Sequence, residues 1–340
     1  MGVNLSPLVV EAKREISLKE LENLTIAIDG HNALYQFLTI IRQPDGTPLM
    51  DRDGKITSHL SGLLYRTSNL VEGGIKPIYV FDGKPPDLKK REIETRVARR
   101  AEASEEYARA LEAGDMEKAF SKAMQSARVT PEIVNDSKKL LAVLGIPFVE
   151  APSEGEAQAA YMVKKGDVWA AASQDFDSLL FGSLRLARNI AITGKRKLPR
   201  KRVYINVRPE LIELDSLLKK LEINERGLVD LAILIGTDFN EGVKGVGPKR
   251  ALSLIKKHGS AEKALEALDA EPEIGVDKIK DVFLNPEVTD DYEITWRKPE
   301  SEAVKRYLCD ERGFSEERVE KALSKYRGMG TEQRRIDQWF

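Results

Sequence analysis

Seven carboxylates stand where an apolar run or a helical pattern gives way to a turn: Asp29, Asp82, Glu154, Glu156, Asp175, Asp177 and Asp238. Asp29 closes the run Thr25–Asp29 and Asp82 closes Pro77–Asp82, each followed by glycine, while Asp175 and Asp177 form an acid-x-acid pair at the end of Val168–Asp175. Oxygen donors of this kind suit magnesium, a hard cation that keeps several of its waters. Two such ions roughly 3.5–4 Å apart can activate a water and neutralise the attacking and leaving oxygens of a phosphodiester. Each acid also has a plainer explanation. Asp29 and Asp82 could cap helices or close turns, and Asp238, after Ile-Gly-Thr, could form a turn. Ser153 and Glu156 have capping-box spacing, and Glu154 and Glu156, two apart, cannot share a helix face. Asp175 and Asp177 point the same way only if their segment stays extended. Taken together, the seven positions favour metal-assisted hydrolysis.

The rest of the composition narrows the metal chemistry. One cysteine, Cys309, excludes an internal disulfide framework and a cysteine-based zinc site. The three histidines, His31, His59 and His258, have no metal-ligand spacing. No apolar stretch is long enough to span a bilayer, and no secretory leader is evident. The net charge of −1 argues against a uniformly basic nucleic-acid binder, but the charges are segregated. Seven basic residues against three acidic ones lie between Lys84 and Arg100, and six of the eight residues in Lys195–Arg202 are basic. Either run could be a solvated face or a contact for a polyanion.

These residues need elements to position them. Thr25–Asp29, Pro77–Asp82, Ile146–Val149 and Val168–Asp175 read as strands. His59–Glu72, Glu132–Leu144 and Gly155–Lys165 carry helical periodicity between them. Alternation of this kind predicts an α/β fold with a mostly parallel central sheet flanked by helices. In such sheets ligands bind beyond the carboxyl ends of the strands, where three of the acids lie. Residues 84–130, charged and lacking a β-branched run, predict one or two helices standing off the core. Residues 225–258 predict a helix over Leu228–Ile235, a glycine-punctuated turn over Gly236–Gly247 and a second helix over Pro248–His258, with proline in its first turn. Small helices are expected over 260–325. Lys89 and Arg96, seven apart, fall on one face of a helix starting near Pro85 or Pro86.

The blocks Ile28-Asp29, Val80-Phe81-Asp82-Gly83-Lys84-Pro85-Pro86, Ala151-Pro152-Ser153-Glu154-Gly155-Glu156-Ala157-Gln158-Ala159, Ser173-Gln174-Asp175-Phe176-Asp177 and Gly236-Thr237-Asp238 occur in an order and spacing that resemble the flap endonuclease family over essentially the whole chain. The resemblance implies an endonuclease that cuts branched DNA near the base of 5′ flaps, with 5′-3′ exonuclease activity, in Okazaki-fragment processing and repair. It implies the seven acids as ligands of two magnesium ions, with manganese able to substitute, and Asp230 as a supporting partner. Lys89 and Arg96 become the pair that engages the scissile phosphate, where fixed cations stabilise the charge gained in the transition state. Tyr35 becomes an aromatic that stacks on a displaced base, core packing being its other reading.

The resemblance also sets the expected organisation. One elaborated nuclease domain spans 1–325: an N-terminal part (1–83), a helical arch over the 5′ strand (84–130), an internal part (131–258) with the helix–turn–helix unit at 225–258, and C-terminal helices (259–325). In that unit Lys244, Gly245, Gly247, Lys249 and Arg250 are expected to hold DNA backbone, since glycines allow close approach and helix N-terminal amides bind phosphate without reading sequence. Potassium at carbonyls of this turn is implied, without fixing which. A flexible tail (326–340) ends in Gln333, Ile336, Trp339 and Phe340, the pattern of a sliding-clamp (PCNA) docking peptide, although those side chains could instead pack on their own domain. The archaeal form of the family implies a cytoplasmic monomer with no membrane partner; a eukaryotic protein would be nuclear. The N-terminus is expected near the active site.

Other readings differ in their chemistry. A related 5′ exonuclease or junction resolvase would use the same acids. An aspartyl-phosphate phosphatase wants a second Asp two residues after Asp29, where His31 stands. A non-catalytic, clamp-tethered DNA-binding adaptor explains the hairpin and tail but not seven dispersed acids.

Overall fold

The computed structural model describes residues 2–190, 194–197, 204–270 and 274–326. Nine strands are described: β1 (Lys13–Glu15), β2 (Thr25–Asp29), β3 (Lys76–Phe81), β4 (Phe148–Glu150), β5 (Ala170–Ala172), β6 (Arg185–Arg188), β7 (Gly194–Lys197), β8 (Tyr204–Val207) and β9 (Glu210–Glu213). Seven of them form one sheet in the order β1-β9-β6-β5-β2-β3-β4, and β7 and β8 pair separately as an antiparallel ribbon. The five strands from β6 to β4 in that order are parallel, and β9 and β1 extend the β6 side antiparallel. The predicted mostly parallel sheet is therefore present.

Burial explains which runs became central. β2 and β3 are almost wholly buried, as strands covered on both faces must be. Ile26 and Ile28 of β2 join Tyr79 and Phe81 of β3 in the core under helices Gly30–Ile40, Ser58–Glu72 and Pro131–Val143. Ala27, Ile78 and Val80 face the other way, against helix Gly155–Lys165. A third core, with Leu186 and Ile212 from the sheet, supports helices Glu225–Ile235 and Pro248–His258.

Several expected boundaries move. The strand expected over Val168–Asp175 stops at Ala172, because the backbone turns through 173–176 into helix Asp177–Leu180. Residues 84–130 form two helices, Lys90–Glu112 after a short turn of 3₁₀ helix at Asp87–Lys89, and Met116–Gln125. They pack as a hairpin with small buried side chains at Ala103, Ala110, Ala119 and Ala123. The second does not stand off, since it also packs on helix Gly30–Ile40. Of the basic run Lys195–Arg202, Lys195–Lys197 lie in β7, and 198–202 fall outside the described residues. The first helix of the 225–258 unit starts at Glu225, where the Asn224 side chain accepts from Gly227 N–H. Among the expected small helices, residues 286–300 are instead an extended strap. Its Trp296 indole donates to Pro77 O at 2.9 Å, Arg297 N–H bonds Gly145 O, and Gln158 exchanges two hydrogen bonds with the Thr289 backbone.

His59, wholly buried in helix Ser58–Glu72, has neither ring nitrogen hydrogen-bonded; Asp136 Oδ2 lies 3.9 Å from Nε2, too far to accept. Burial pushes the imidazole down to about 4, against an ordinary value near 6.5. The unfolded chain therefore binds the extra proton between those values, and this contribution to stability is present above about pH 6.5 and lost as pH falls through 4. The expected loss across that window is roughly 3 kcal/mol at most. Denaturant titrations from pH 7 to 4 should show His59→Leu with a shallower pH slope than the wild type, at no hydrogen-bond cost.

Candidate functional site

The order of the sheet reverses beside β2: the chain runs outward through β3 and β4, then returns to β5 on the opposite side. The crevice at such a switch point is where α/β sheets bind ligands. Asp29 is the last residue of β2, Asp82 follows β3, and Asp175 and Asp177 follow β5.

Each acid is held by local chemistry. Asp29 Oδ1 accepts from Asn32 N–H at 2.9 Å, capping helix Gly30–Ile40, and Oδ2 accepts from Ser173 Oγ at 3.2 Å. Its capping reading and its place in the cluster thus hold together. Asp82 Oδ1 accepts from Gly155 N–H at 2.7 Å at the N-terminus of helix Gly155–Lys165, where partial positive charge favours an anion. A side chain at Gly155 would bring Cβ within 2.8 Å of that oxygen. Asp82 N–H donates to His31 Nδ1 at 3.1 Å. With that lone pair engaged, the 3.2 Å approach of Nδ1 to Asp82 Oδ2 is not an ion pair. Asp175 Oδ2 accepts from Asn32 Nδ2 at 3.1 Å, and Asp177 Oδ1 from Val3 N–H at 2.8 Å. Asp175 and Asp177 do not share an extended segment as expected, because Asp177 opens a helix. The expected proximity of the N-terminus holds: a Cβ on Gly2 would fall 2.3 Å from Asp177 Oδ1.

The capping box at Ser153 does not form. Glu154 is the N-cap residue, without a side-chain cap bond. Glu156 turns inward, where its Oε1 accepts from Ser178 Oγ at 3.2 Å. Glu154, just outside the helix, accepts from Lys89 Nζ at 2.5 Å, so the two glutamates need not share a helix face.

The acids act electrostatically as one group. Burial, then Asp82 and Asp175, push Asp29 up to about 8; burial, then Asp238 and Asp175, push Asp177 up to about 7. Glu156 is raised well above the usual range by burial, Asp177, Asp29 and Asp175. Glu154 is raised by burial, with Asp82 and Asp238 adding to it against Lys89. These couplings link all seven residues. Burial alone would raise Asp238, but neighbouring positive charge, Lys89 first and Arg96 among the rest, outweighs it and holds its carboxyl below the usual range. Lys89 Nζ lies 3.2 Å and Arg96 Nη2 2.7 Å from Asp238 Oδ2, so the two side chains converge, although the helix begins at Lys90 rather than near Pro85 or Pro86 and Lys89 lies in the 3₁₀ turn before it. Among the described residues no three acids converge tightly enough to hold one ion as they stand. Lys89, bridging Glu154 and Asp238, and Arg96 supply positive charge inside the cluster.

Tyr35 is half-buried against the core, and the Arg100 guanidinium lies 5.8 Å from its ring centre, so both of its readings keep a structural basis. Lys244, Gly245, Gly247, Lys249 and Arg250 are all exposed along the turn and the start of helix Pro248–His258. Arg250 donates to Gly245 O at 3.2 Å. Asp230 does not join the acids: it bonds buried Lys280 at 2.6 Å and Ala261 N–H, tying its helix to helices Ala261–Ala267 and Val276–Leu284. Gln333, Ile336, Trp339 and Phe340 lie outside the described residues.

Sequence reasoning missed Asn32, which donates to Asp175, accepts from Gln174 N–H and Gln36, and caps onto Asp29. Its signal was an amide three residues after a strand-end aspartate in an otherwise apolar helix. It also missed Glu92, whose carboxylate accepts from Arg96 Nε at 2.5 Å; the signal there was i,i+4 spacing.

Residues 1–103 match the XPG N-terminal domain and residues 145–238 the XPG I-region. The chain is 55% identical over 340 residues to flap endonuclease 1 of Archaeoglobus fulgidus, covering 100% of both chains. It is 54% identical to flap endonuclease 1 of Aeropyrum pernix, again over 100% of each. The solved flap endonuclease-1 of Methanococcus jannaschii superposes with a TM-score of 0.75 at 43% identity, covering 96% of this chain and 98% of that one. With more than half of its residues identical to these relatives over the full length of both chains, the chain belongs to the flap endonuclease family.

Proposed function

We propose that this protein is a divalent-metal-dependent structure-specific nuclease that hydrolyses a phosphodiester near the base of 5′ flaps in branched DNA, with 5′-3′ exonuclease activity, in replication and repair. The observation that carries this reading is the convergence of Lys89 and Arg96 on Asp238 inside the seven-acid cluster, of which Asp29, Asp177 and Asp238 are buried. A cluster whose members raise one another's proton affinity calls for cations, and an all-oxygen donor set fits magnesium or manganese. Asp29, Asp82, Glu154, Glu156, Asp175, Asp177 and Asp238 would hold two such ions, which when bound supply an activated water and neutralise the reacting oxygens. Lys89 and Arg96 orient the scissile phosphate and stabilise its developing charge. Asn32 and Ser173 fix the directions of Asp29 and Asp175. Tyr35 holds a displaced base, and the hairpin of 84–130 guides the 5′ single strand.

The turn carrying Lys244, Gly245, Gly247, Lys249 and Arg250 holds duplex backbone, with potassium at its carbonyls. Residues 1–325 act as one nuclease domain and 326–340 as a tail docking on a sliding clamp (PCNA). No helix among the described residues is long and apolar enough to cross a membrane. The archaeal form of the family implies that the enzyme acts as a monomer in the cytoplasm.

Cleavage of matched flap, nicked, single-stranded and four-way DNA, with magnesium or EDTA, tests the activity. Magnesium-dependent cutting of the flap in preference to the other substrates is expected. Preference for the four-way junction identifies a resolvase, and binding without cutting an adaptor. Deleting Gln333–Phe340 is expected to remove stimulation by the clamp while leaving clamp-free cutting intact; equal stimulation of the shortened chain rules the tail out as the docking peptide.

A further inference from the structure

β5 stops at Ala172, and the chain reaches helix Asp177–Leu180 through Ser173, Gln174, Asp175 and Phe176. This turn carries Asp175 and delivers Asp177, so its backbone conformation sets where both carboxylates point. Backbone that leaves a sheet needs other partners for its polar groups, and here side chains supply them. Gln174 N–H donates to Asn32 Oδ1 at 3.3 Å, and Asp175 N–H donates to Ser173 Oγ at 3.2 Å. The Gln174 carbonyl accepts twice from Arg188, from Nε at 3.2 Å and from Nη2 at 2.9 Å.

Arg188 is the last residue of β6, the neighbour of β5 on the side away from β2. Its guanidinium also lies 4.3 Å from the centre of the ring of Phe176, which is buried. That separation is close enough for cation–π attraction. One planar group therefore grips the residue before Asp175 and the residue after it. The Gln174 carbonyl and the Asp175 N–H belong to the same rigid peptide plane. Holding the carbonyl thus holds the direction in which Asp175 leaves the turn. A lysine could not do the same, since an ammonium has neither the flat fork nor the face that stacks. Arg188 is anchored in its turn: Nη1 lies 3.6 Å from Glu210 Oε2 on β9, and Glu210 Oε1 bonds Lys13 Nζ at 2.6 Å. The guanidinium is braced from the sheet and directed at the turn.

We propose that Arg188 is a positioning residue for the metal site, holding the turn at 173–176 so that Asp175 and Asp177 present their carboxylates to the same cations. The proposal rests on the nuclease reading and adds to it a residue that acts through backbone rather than by touching metal or DNA.

The test uses the full chain and two readouts. Thermal unfolding of the DNA-free protein, in EDTA and across a magnesium titration, reports metal binding, because an ion that binds only the folded state raises Tm. Single-turnover cleavage of a 5′ flap across the same titration reports the metal requirement of cutting. Arg188→Lys is expected to need about 10–100-fold more magnesium than the wild type for the same gain in Tm and for half-maximal cutting, the usual cost of losing a group that orients a metal ligand. Its binding of the flap in EDTA should match the wild type. Phe176→Leu removes the ring and leaves both hydrogen bonds to Gln174. It should shift the magnesium requirement in the same direction by less, and it serves if Arg188→Lys does not fold. An unchanged magnesium requirement in Arg188→Lys, or in Phe176→Leu where only that variant folds, overturns the proposal. A lower metal-free Tm with that unchanged requirement makes Arg188 a clamp for the fold alone, and weaker flap binding in EDTA makes it a DNA contact. A wild type that neither gains stability from magnesium nor cuts the flap overturns the nuclease reading, and the proposal with it.

Discussion

Asp175→Ala is expected to bind 5′-flap DNA about as tightly as the wild type and to cut it in magnesium at least ~1,000-fold more slowly. The residue lies beyond β5, between Asp29 and Asp177 in the electrostatic order of the cluster, and contributes to the raised proton affinity of both. Removing it takes one ligand from the centre of the group, so the loss resembles removal of a transition-state-stabilising charge, which typically costs ~100–1,000-fold on its own, compounded by weaker metal binding. Its side chain makes one hydrogen bond to its surroundings, from Asn32, so the fold has little to lose. Single-turnover cleavage with saturating protein separates the effects. A variant that cuts at the wild-type rate would remove Asp175 from the metal site and with it the shared centre of the seven acids.

Lys89→Met carries the second large effect, and it has two signs. Cleavage should fall about 100–1,000-fold, as for loss of one fixed donor to a transition state. Stability is the more diagnostic readout. Lys89 is largely buried between Glu154 and Asp238, and those two carboxylates raise its proton affinity against the opposing effect of burial. Removing one partner of a buried ion pair leaves uncompensated charge, at roughly 3–5 kcal/mol. Metal-free Lys89→Met should therefore unfold at lower denaturant concentration than metal-free wild type, and millimolar magnesium should recover most of the difference. If magnesium shifts both proteins equally, Lys89 is not a counter-ion of the metal-binding acids.

The parts of this architecture that could be read from the sequence are those where composition and geometry coincide. β2 and β3 are continuous apolar runs because both of their faces are covered, and each ends in an acid at the mouth of the sheet. The helices of 84–130 follow from charge and from alanines at helical spacing. β6, β9 and β1 could not be read, since Arg-Leu-Ala-Arg and Glu-Leu-Ile-Glu are short and half polar and Lys-Arg-Glu is wholly charged, and only pairing in an existing sheet makes them strands. The same limit hid the strap at 286–300, which is fastened by hydrogen bonds to distant elements. The end of β5 was misjudged because Ser173-Gln174-Asp175, after its three alanines, contain no glycine or proline to mark a stop. For the site, the acids were legible as a set. The elements that hold them were not: Asn32, His31 and Glu92 act through partners that only the folded chain brings near. Asp230 shows the reverse, since its place one helix before Asp238 pointed to the metal while the fold gave it to Lys280.

The strap has a consequence for the protein while it is being made. All seven acids precede residue 239, yet helix Gly155–Lys165, which orients Asp82 and Glu156, is fastened at Gln158 by Thr289, and β3 is fastened at Pro77 by Trp296. Residues 304–326 then complete the core over helix Ser58–Glu72. A ribosome-bound chain that has exposed every ligand still lacks the clasp that sets their directions. On the proposed function, fragments that end before the strap are expected to carry the seven acids without the contacts that set their directions, and to leave flap DNA uncut.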